Sequence, residues 1–254
     1  RAAEEPKHPW DRAEAASFMS NVGQEAQIYD QLRCIDVKGM EQIRIDLQER
    51  QATIVPDQSL QDKSGRYFFQ EAMRLKEGEI YMSPLDLNVE HGQVEQPLKP
   101  MVRLATPLFD ADGRRLGILI VNVLGEWLIQ EFRQMMPPHR DAVWLNAQGD
   151  WLVAPDSALA WGFMFGRPGA FTQSHPLLWQ AMRAQPQGSL VMPDGMWAYT
   201  TLHPLDMPAR QGIQAAGTAT PLTSTPNRDY NWILATRIPT QHLPSSSIVH
   251  NPLA

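Results

Sequence analysis

The sequence predicts an α+β protein: a long N-terminal helix, then two sibling modules in tandem, each a central antiparallel sheet flanked by helices. Three observations carry that expectation. The order hairpin, helical patch, returning strands runs twice along the chain, as two copies of one supersecondary pattern would. Three predicted hairpins share one turn chemistry, Asp or Asn, two residues and Gly, at 36–39, 110–113 and 146–149. Asp or Asn opens such a turn by bonding its own backbone, and Gly takes the positive φ that ends it. The two parts of the chain also differ in composition. Up to Gly125 there are 15 Lys+Arg and 20 Asp+Glu, beyond it 7 and 8, and seven of the eight Trp lie beyond it. A length of 254 residues suits two domains of moderate size, each able to bury a core.

Residues 1–28 read as helix, because after Pro9 the residues Ala13, Ala16, Phe18, Met19, Val22 and Ile28 recur at three- and four-residue intervals. Such a helix either packs on a sheet or descends from a membrane anchor with part of its length at a dimer seam. Residues 29–36 and 40–47 form the first hairpin, 66–75 a helical patch and 79–83 a strand. Then come 101–109 and 116–124, joined by the second Asp-x-x-Gly turn; the run 116–124 is too long and too apolar for an edge strand and belongs mid-sheet with both faces covered. At 126–132 the apolar spacing changes to about 3.6, the period of a short connecting helix. The second round has a hairpin at 143–154, a Pro-started helix at 176–184, and strands near 188–193, 196–203 and 231–238. Residues 204–229, dense in Pro, Thr, Ala and Gly, read as a long loop. The expected divisions are therefore 1–28 (helix), 29–125 (first module), 126–240 (second module) and 241–254 (tail).

Composition excludes several classes. A formal charge of −6 argues against a phosphate-backbone partner. The single Cys34 allows no internal disulfide and reads as a small buried hydrophobe. The longest apolar run is about half the length of a membrane span. A chain that starts at Arg1 reads as a piece of a longer protein. There is no GxSxG, HExxH, CxxC, Gly-rich phosphate loop or EF-hand spacing, and the seven His are scattered. No catalytic residue, metal site or cofactor is expected in this chain.

One constellation has binding chemistry. Arg66, Tyr67, Phe68 and Phe69 put a guanidinium and three aromatics in four positions ahead of a helix, and Tyr81 follows fifteen residues after Arg66. A planar cation grips a carboxylate through two parallel hydrogen bonds, and aromatic neighbours keep water out of that grip. The alternative is that Tyr67 and Phe69 are core and Arg66 pairs with Asp62.

The runs YDQLRCID (29–36), KSGRYFFQEA (63–72), GEIYMSPLDLN (78–88) and PMVRLATP (100–107) are similar to the double Cache, or tandem PAS-like, extracytoplasmic sensor domain of bacterial histidine kinases and diguanylate cyclases. So are WLNAQGDWL (144–152), WGFM (161–164) and GMWAYT (195–200). The resemblance covers roughly residues 18–240. It implies a periplasmic sensing part of an inner-membrane receptor, with a membrane-distal ligand-binding module, a membrane-proximal module, flanking anchors and a cytoplasmic kinase or cyclase output. It further implies a small-molecule ligand in the distal module, with Arg66, Phe68, Phe69 and Tyr81 in the binding roles. Tyr67, Ser83, Arg103 and Asn122 complete the candidate set, and a homodimer through the N-terminal helix is the expected assembly if that helix lies at a dimer seam. Relatives that bind amino acids place two carboxylates where this chain has Ser83 and Asn122. A small carboxylate or other anion is therefore the expected ligand, rather than an α-amino acid. The competing class is a carbohydrate- or protein-binding module that uses the Trp-rich second half as a platform.

Overall fold

The structure, a computed structural model, describes residues 11–25, 28–49, 51–90, 92–204 and 230–243. Residues 1–10 of the expected N-terminal helix, residues 205–229 of the expected loop and most of the tail lie outside them. In chain order the elements are α1 (Arg12–Glu25), β1 (Tyr29–Asp36), β2 (Glu41–Gln48), β3 (Gln51–Ile54), α2 (Tyr67–Ala72), β4 (Tyr81–Met82), β5 (Asp86–Leu87), β6 (Val89–Glu90), β7 (Gln93–Val94), β8 (Pro100–Phe109) and β9 (Arg115–Leu124). Then follow α3 (Gly125–Gln134), β10 (Asp141–Asn146), β11 (Trp151–Val153), α4 (Phe171–Ser174), α5 (Pro176–Ala184), β12 (Gln187–Met192), β13 (Gly195–Leu202) and β14 (Trp232–Pro239). The described residues form two compact units, 11–83 with Met101–Leu124, and Pro84–Pro100 with 125–204 and 230–243. The segment Pro84–Pro100, inside the span expected for the first module, groups with the second unit; there the Leu85 amide donates to Tyr230 Oη at 2.7 Å.

The first unit is built on an antiparallel sheet whose strands run β3-β2-β1-β9-β8-β4. The apolar run expected mid-sheet is β9, which pairs with β1 on one side and β8 on the other. Alternation divides the side chains between two faces. Leu32, Cys34, Ile43 and Ile45 pack against Ala16 and Met19 of α1, while Ile35, Ile118, Ile120, Ala105 and Tyr81 pack under Phe68, Phe69 and Ala72 of α2. Burying each large apolar side chain is worth about 1.5–3 kcal/mol. Burial also pushes the Cys34 thiol up to about 11.

The contact face of α1 is narrower than the sequence pattern implied. Ala16, Met19 and Gly23 are buried, whereas Phe18 and Val22 stand exposed. Positions 16, 19 and 23 share one stripe, and 18 and 22 fall about 100° round the helix from it. Gly23 lets the helix sit close on β2: a Cβ there would meet Leu47 Cδ1 at 2.8 Å, and the Leu47 side chain would have to shift.

All three turns form as their chemistry demands. Asp36 Oδ1 accepts from the amides of Lys38 (2.8 Å) and Met40 (3.0 Å), Asp110 Oδ1 from Asp112 (3.0 Å) and Arg114 (2.8 Å), and Asn146 Oδ1 from Gln148 (3.0 Å) and Asp150 (2.8 Å). Gly39, Gly113 and Gly149 close them at φ 92°, 76° and 83°.

The second unit repeats the plan with an antiparallel sheet β11-β10-β14-β13-β12. On one face Val143, Leu145, Trp197 and Ile233 pack against Phe171 of α4 and Leu178 and Met182 of α5. On the other, Phe132 of α3 meets Trp144 edge-on at 5.5 Å, and Trp144 meets Trp232 at 4.9 Å. Trp144, Trp151, Trp161, Trp197 and Trp232 are all buried, and Trp179 packs against the core. Trp127 stands exposed, so most but not all of the tryptophans beyond Gly125 serve as aromatic core.

Candidate functional site

The expected site residues meet on the α2 face of the first sheet. Register sets them in rows. Arg103 of β8 is the cross-strand partner of Asn122 of β9, and Asn122 is the partner of Gln31 of β1. Ser83, just past β4, joins the same row: its amide donates to the Arg103 carbonyl at 2.8 Å, and the Arg103 amide donates to Ser83 Oγ at 2.8 Å. Asn122 Nδ2 donates to Gln31 Oε1 at 3.2 Å, and the buried Asn122 Oδ1 has no hydrogen-bond partner among the described residues. The next row along the same face holds Tyr81, Ala105, Ile120 and Arg33. Ser83, Arg103 and Asn122 are essentially inaccessible, at 0%, 1% and 0% exposure.

The lid of this face is the segment leading into α2, held by backbone bonds to the first hairpin. The Lys63 amide donates to the Gly39 carbonyl at 2.7 Å and the Glu41 amide to the Gln61 carbonyl at 3.1 Å. Arg66 occupies the N-cap position of α2, with extended backbone, and its carbonyl accepts from Phe69 at 3.1 Å. Phe68 and Phe69 turn inward and are buried; Tyr67 is half-exposed, its ring edge-on to Phe68 at 5.7 Å.

Three guanidinium groups surround the Phe68 ring: Arg66 at 5.5 Å from its centroid, Arg103 at 5.7 Å and Arg33 at 5.9 Å. Arg103 Nη1 also donates to Tyr67 Oη at 3.3 Å. Arg33 Nη1 lies 3.4 Å from Glu41 Oε1, and Lys63 Nζ lies 3.9 Å from the same oxygen. Asp62, the partner considered for Arg66, instead accepts from the Ser64 amide at 2.8 Å. The Arg66 guanidinium has no hydrogen bond or ion pair among the described residues. The structure thus brings all eight expected residues to one region, and adds Arg33, Lys63 and Glu41, which sequence reasoning missed. A signal for Arg33 was present: in DQLRCID it stands two positions from Ile35, on the face that α2 covers.

This arrangement concentrates positive charge beside an aromatic floor. Around Phe68 stand three guanidiniums, with Lys63 beyond, and Glu41 is the carboxylate that contacts two of these cations. An anion placed there gains roughly 4 kcal/mol of Coulomb energy per cation at about 4 Å and an effective dielectric of about 20. An ammonium group would meet the same charges with opposite sign.

The fold, two antiparallel sheets each flanked by helices, is of the Cache, PAS-like kind. The chain belongs to the bacterial histidine kinase sensor-domain family, whose pattern matches residues 4–208. That family is a sensing module and is not itself catalytic. Among solved structures, the fold is shared with the domain of a protein described as a sensory box/GGDEF family member from Vibrio parahaemolyticus, with 20% identity over 91% of this chain and 79% of that one and a TM-score of 0.71. It is shared with the extracellular domain of a protein described as histidine kinase vpHK1S-Z8, with 20% identity, 94% and 78% coverage and a TM-score of 0.71. The ligand-binding domain of the Pseudomonas fluorescens chemoreceptor CtaA, solved with L-serine, matches with 14% identity, 91% and 81% coverage and a TM-score of 0.53. No curated protein matches by sequence.

Proposed function

We propose that this chain is the extracytoplasmic, periplasmic sensing part of a membrane receptor of the histidine kinase or diguanylate cyclase type, and that its first unit binds a small carboxylate or similar small anion. The observation that carries the ligand class is the set of three guanidiniums around Phe68, one of them, Arg66, without a charged partner among the described residues. Arg66 supplies the bidentate grip, Arg103 and Arg33 the surrounding field, Tyr67 and Tyr81 hydroxyl donors, and Phe68 and Phe69 the apolar wall. L-Serine in CtaA is a ligand of that protein. Here Ser83 and Asn122 offer an ammonium group no charge, which favours an anion over an amino acid. Binding biases a receptor only by its difference in affinity between two states, typically about 1–3 kcal/mol.

A thermal-shift panel of acetate, lactate, pyruvate, succinate, L-serine and choline tests this. A ligand at about 100 times its Kd stabilises by about 2.7 kcal/mol, a rise of roughly 5–10 °C for a domain of this size. The expected result is that a carboxylate without an ammonium group gives such a rise, and that Arg66→Ala removes most of it. Stabilisation by choline or L-serine alone, or an equal rise in Arg66→Ala, would overturn the reading.

A further inference from the structure

The second unit contains a cleft of about 160 Å³ that is remote in chemistry from the cationic site. Its walls include Asp150, Trp151, Phe163, Arg167 and Gln173. By water's share of liquid volume it holds roughly five waters, the size of a small amino acid or betaine.

The turn beside the cleft has unusual backbone. Trp161, a bulky residue, takes the left-handed conformation at φ 62°, ψ 13°, and Gly166 does so at φ 63°, ψ 21°. A non-glycine residue there costs on the order of 1–3 kcal/mol, and such strain concentrates at ligand clamps. The Trp161 amide donates to the Trp151 carbonyl at 2.8 Å and the Arg167 amide to the Gly162 carbonyl at 3.0 Å, so the turn is fixed. Trp151 is fixed as well, its Nε1 donating to the Gly169 carbonyl at 2.8 Å. Phe163, Phe165 and Leu159 remain exposed nearby, an apolar surface that an isolated turn has no structural need to present.

The polar groups have opposite charge and capacity to spare. Asp150 Oδ2 accepts one bond from Asn146 Nδ2 at 3.0 Å, and its other oxygen has no side-chain partner among the described residues. The exposed Arg167 guanidinium lies 5.0 Å over the Phe165 ring and makes one long bond, 3.4 Å, to the Ala160 carbonyl. A carboxylate and a guanidinium on one small aromatic-walled cleft match a ligand that carries both charges.

We propose that this cleft is a second ligand site, independent of the cationic one, and that it takes a small zwitterion. The ammonium end sits at Asp150 and the aromatic walls, where cation–π attraction adds to the charge pair, and the carboxylate end meets Arg167. Two sites of different charge give one receptor two chemically distinct inputs.

The test is NMR of the ¹⁵N-labelled chain, with the Trp151 indole Nε1–H as reporter and L-alanine and glycine betaine as probes. Acetate and choline serve as single-charge controls. A saturable shift of the Trp151 indole with a zwitterion is expected. Its Kd should rise about tenfold or more in Asp150→Asn and in Arg167→Gln, since each removes one charge-assisted contact, and should be unchanged in Arg66→Ala. Retained peak dispersion in each variant confirms that it folds. A Trp151 indole unmoved by either zwitterion up to about 50 mM, or the same Kd in wild type and both cleft variants, would overturn the proposal.

Discussion

Phe68→Leu removes the ring around which the three guanidiniums gather while keeping an apolar side chain in place. Phe69→Leu is its internal control, because Phe69 is buried in the same cluster and has no guanidinium over it among the described residues. Both changes lose aromatic volume, at about 1 kcal/mol each. Only Phe68→Leu also loses the cation–π contacts. At 5.5–5.9 Å these lie near the outer limit of about 6 Å, so each is worth about 0.5 kcal/mol, or about 1.5 kcal/mol together. The cations left behind then face one another without the ring's negative face between them, which adds to the loss. Urea unfolding followed by far-ultraviolet circular dichroism reads the difference. With a slope of about 2–3 kcal/mol/M, the Phe68→Leu midpoint should fall about 0.5–0.75 M below that of Phe69→Leu. Adding a bound carboxylate should narrow the gap, since the anion takes over part of the ring's role. Equal midpoints for the two variants would refute the idea that the ring is the electrostatic floor of the site.

Two further outcomes follow from the local geometry. Gly39→Ala and Gly113→Ala both force a side chain into the left-handed region, at about 1 kcal/mol, but at Gly39 the new Cβ would also meet Ser64 Cα at 2.5 Å, whereas at Gly113 nothing lies within 4 Å. Gly39→Ala should therefore cost at least twice as much in a melting experiment and weaken carboxylate binding through the Arg66 segment, while Gly113→Ala leaves binding unchanged; equal costs would contradict this. Burial alone raises the Asp194 carboxyl, but hydrogen bonds from Trp197, Arg237 and His175 outweigh it and hold the group below the usual carboxylate value. Its stabilisation is thus present above the unfolded value of about 3.9 and lost as pH falls through the lower folded one. Asp194→Asn should melt lower than wild type at pH 7 and converge with it in acid, as read by Trp fluorescence; a constant difference at every pH would oppose the assignment.

Much of the fold was legible because its signals are local. The three Asp/Asn-x-x-Gly turns, the apolar β9 and the Pro-started α5 each state their conformation within a few residues. The cationic site was half legible. Arg66 to Phe69 are contiguous, Tyr81 follows at a short spacing, and the resemblance supplied Ser83, Arg103 and Asn122. Glu41, Arg33 and Lys63 come together only through strand register and the fold-back of the 61–66 segment onto the first hairpin, which no short window contains. On α1 the pattern of apolar residues was read correctly as helical but too broadly, because spacing alone does not say which of two adjacent stripes, 16-19-23 or 18-22, faces the sheet. The left-handed Trp161 has no sequence signature at all, since nothing in a Trp announces positive φ.

The most direct measurement is an NMR titration of the arginine side chains, with the small carboxylate that stabilises the chain best added to the ¹⁵N-labelled protein. Saturable shifts confined to the Nε–Hε groups of Arg33, Arg66 and Arg103, with the Phe68 ring moving in step, are the predicted result. Saturation that leaves those three arginines unmoved, or that moves only residues beyond Gly125, would contradict a cationic ligand site in the first unit.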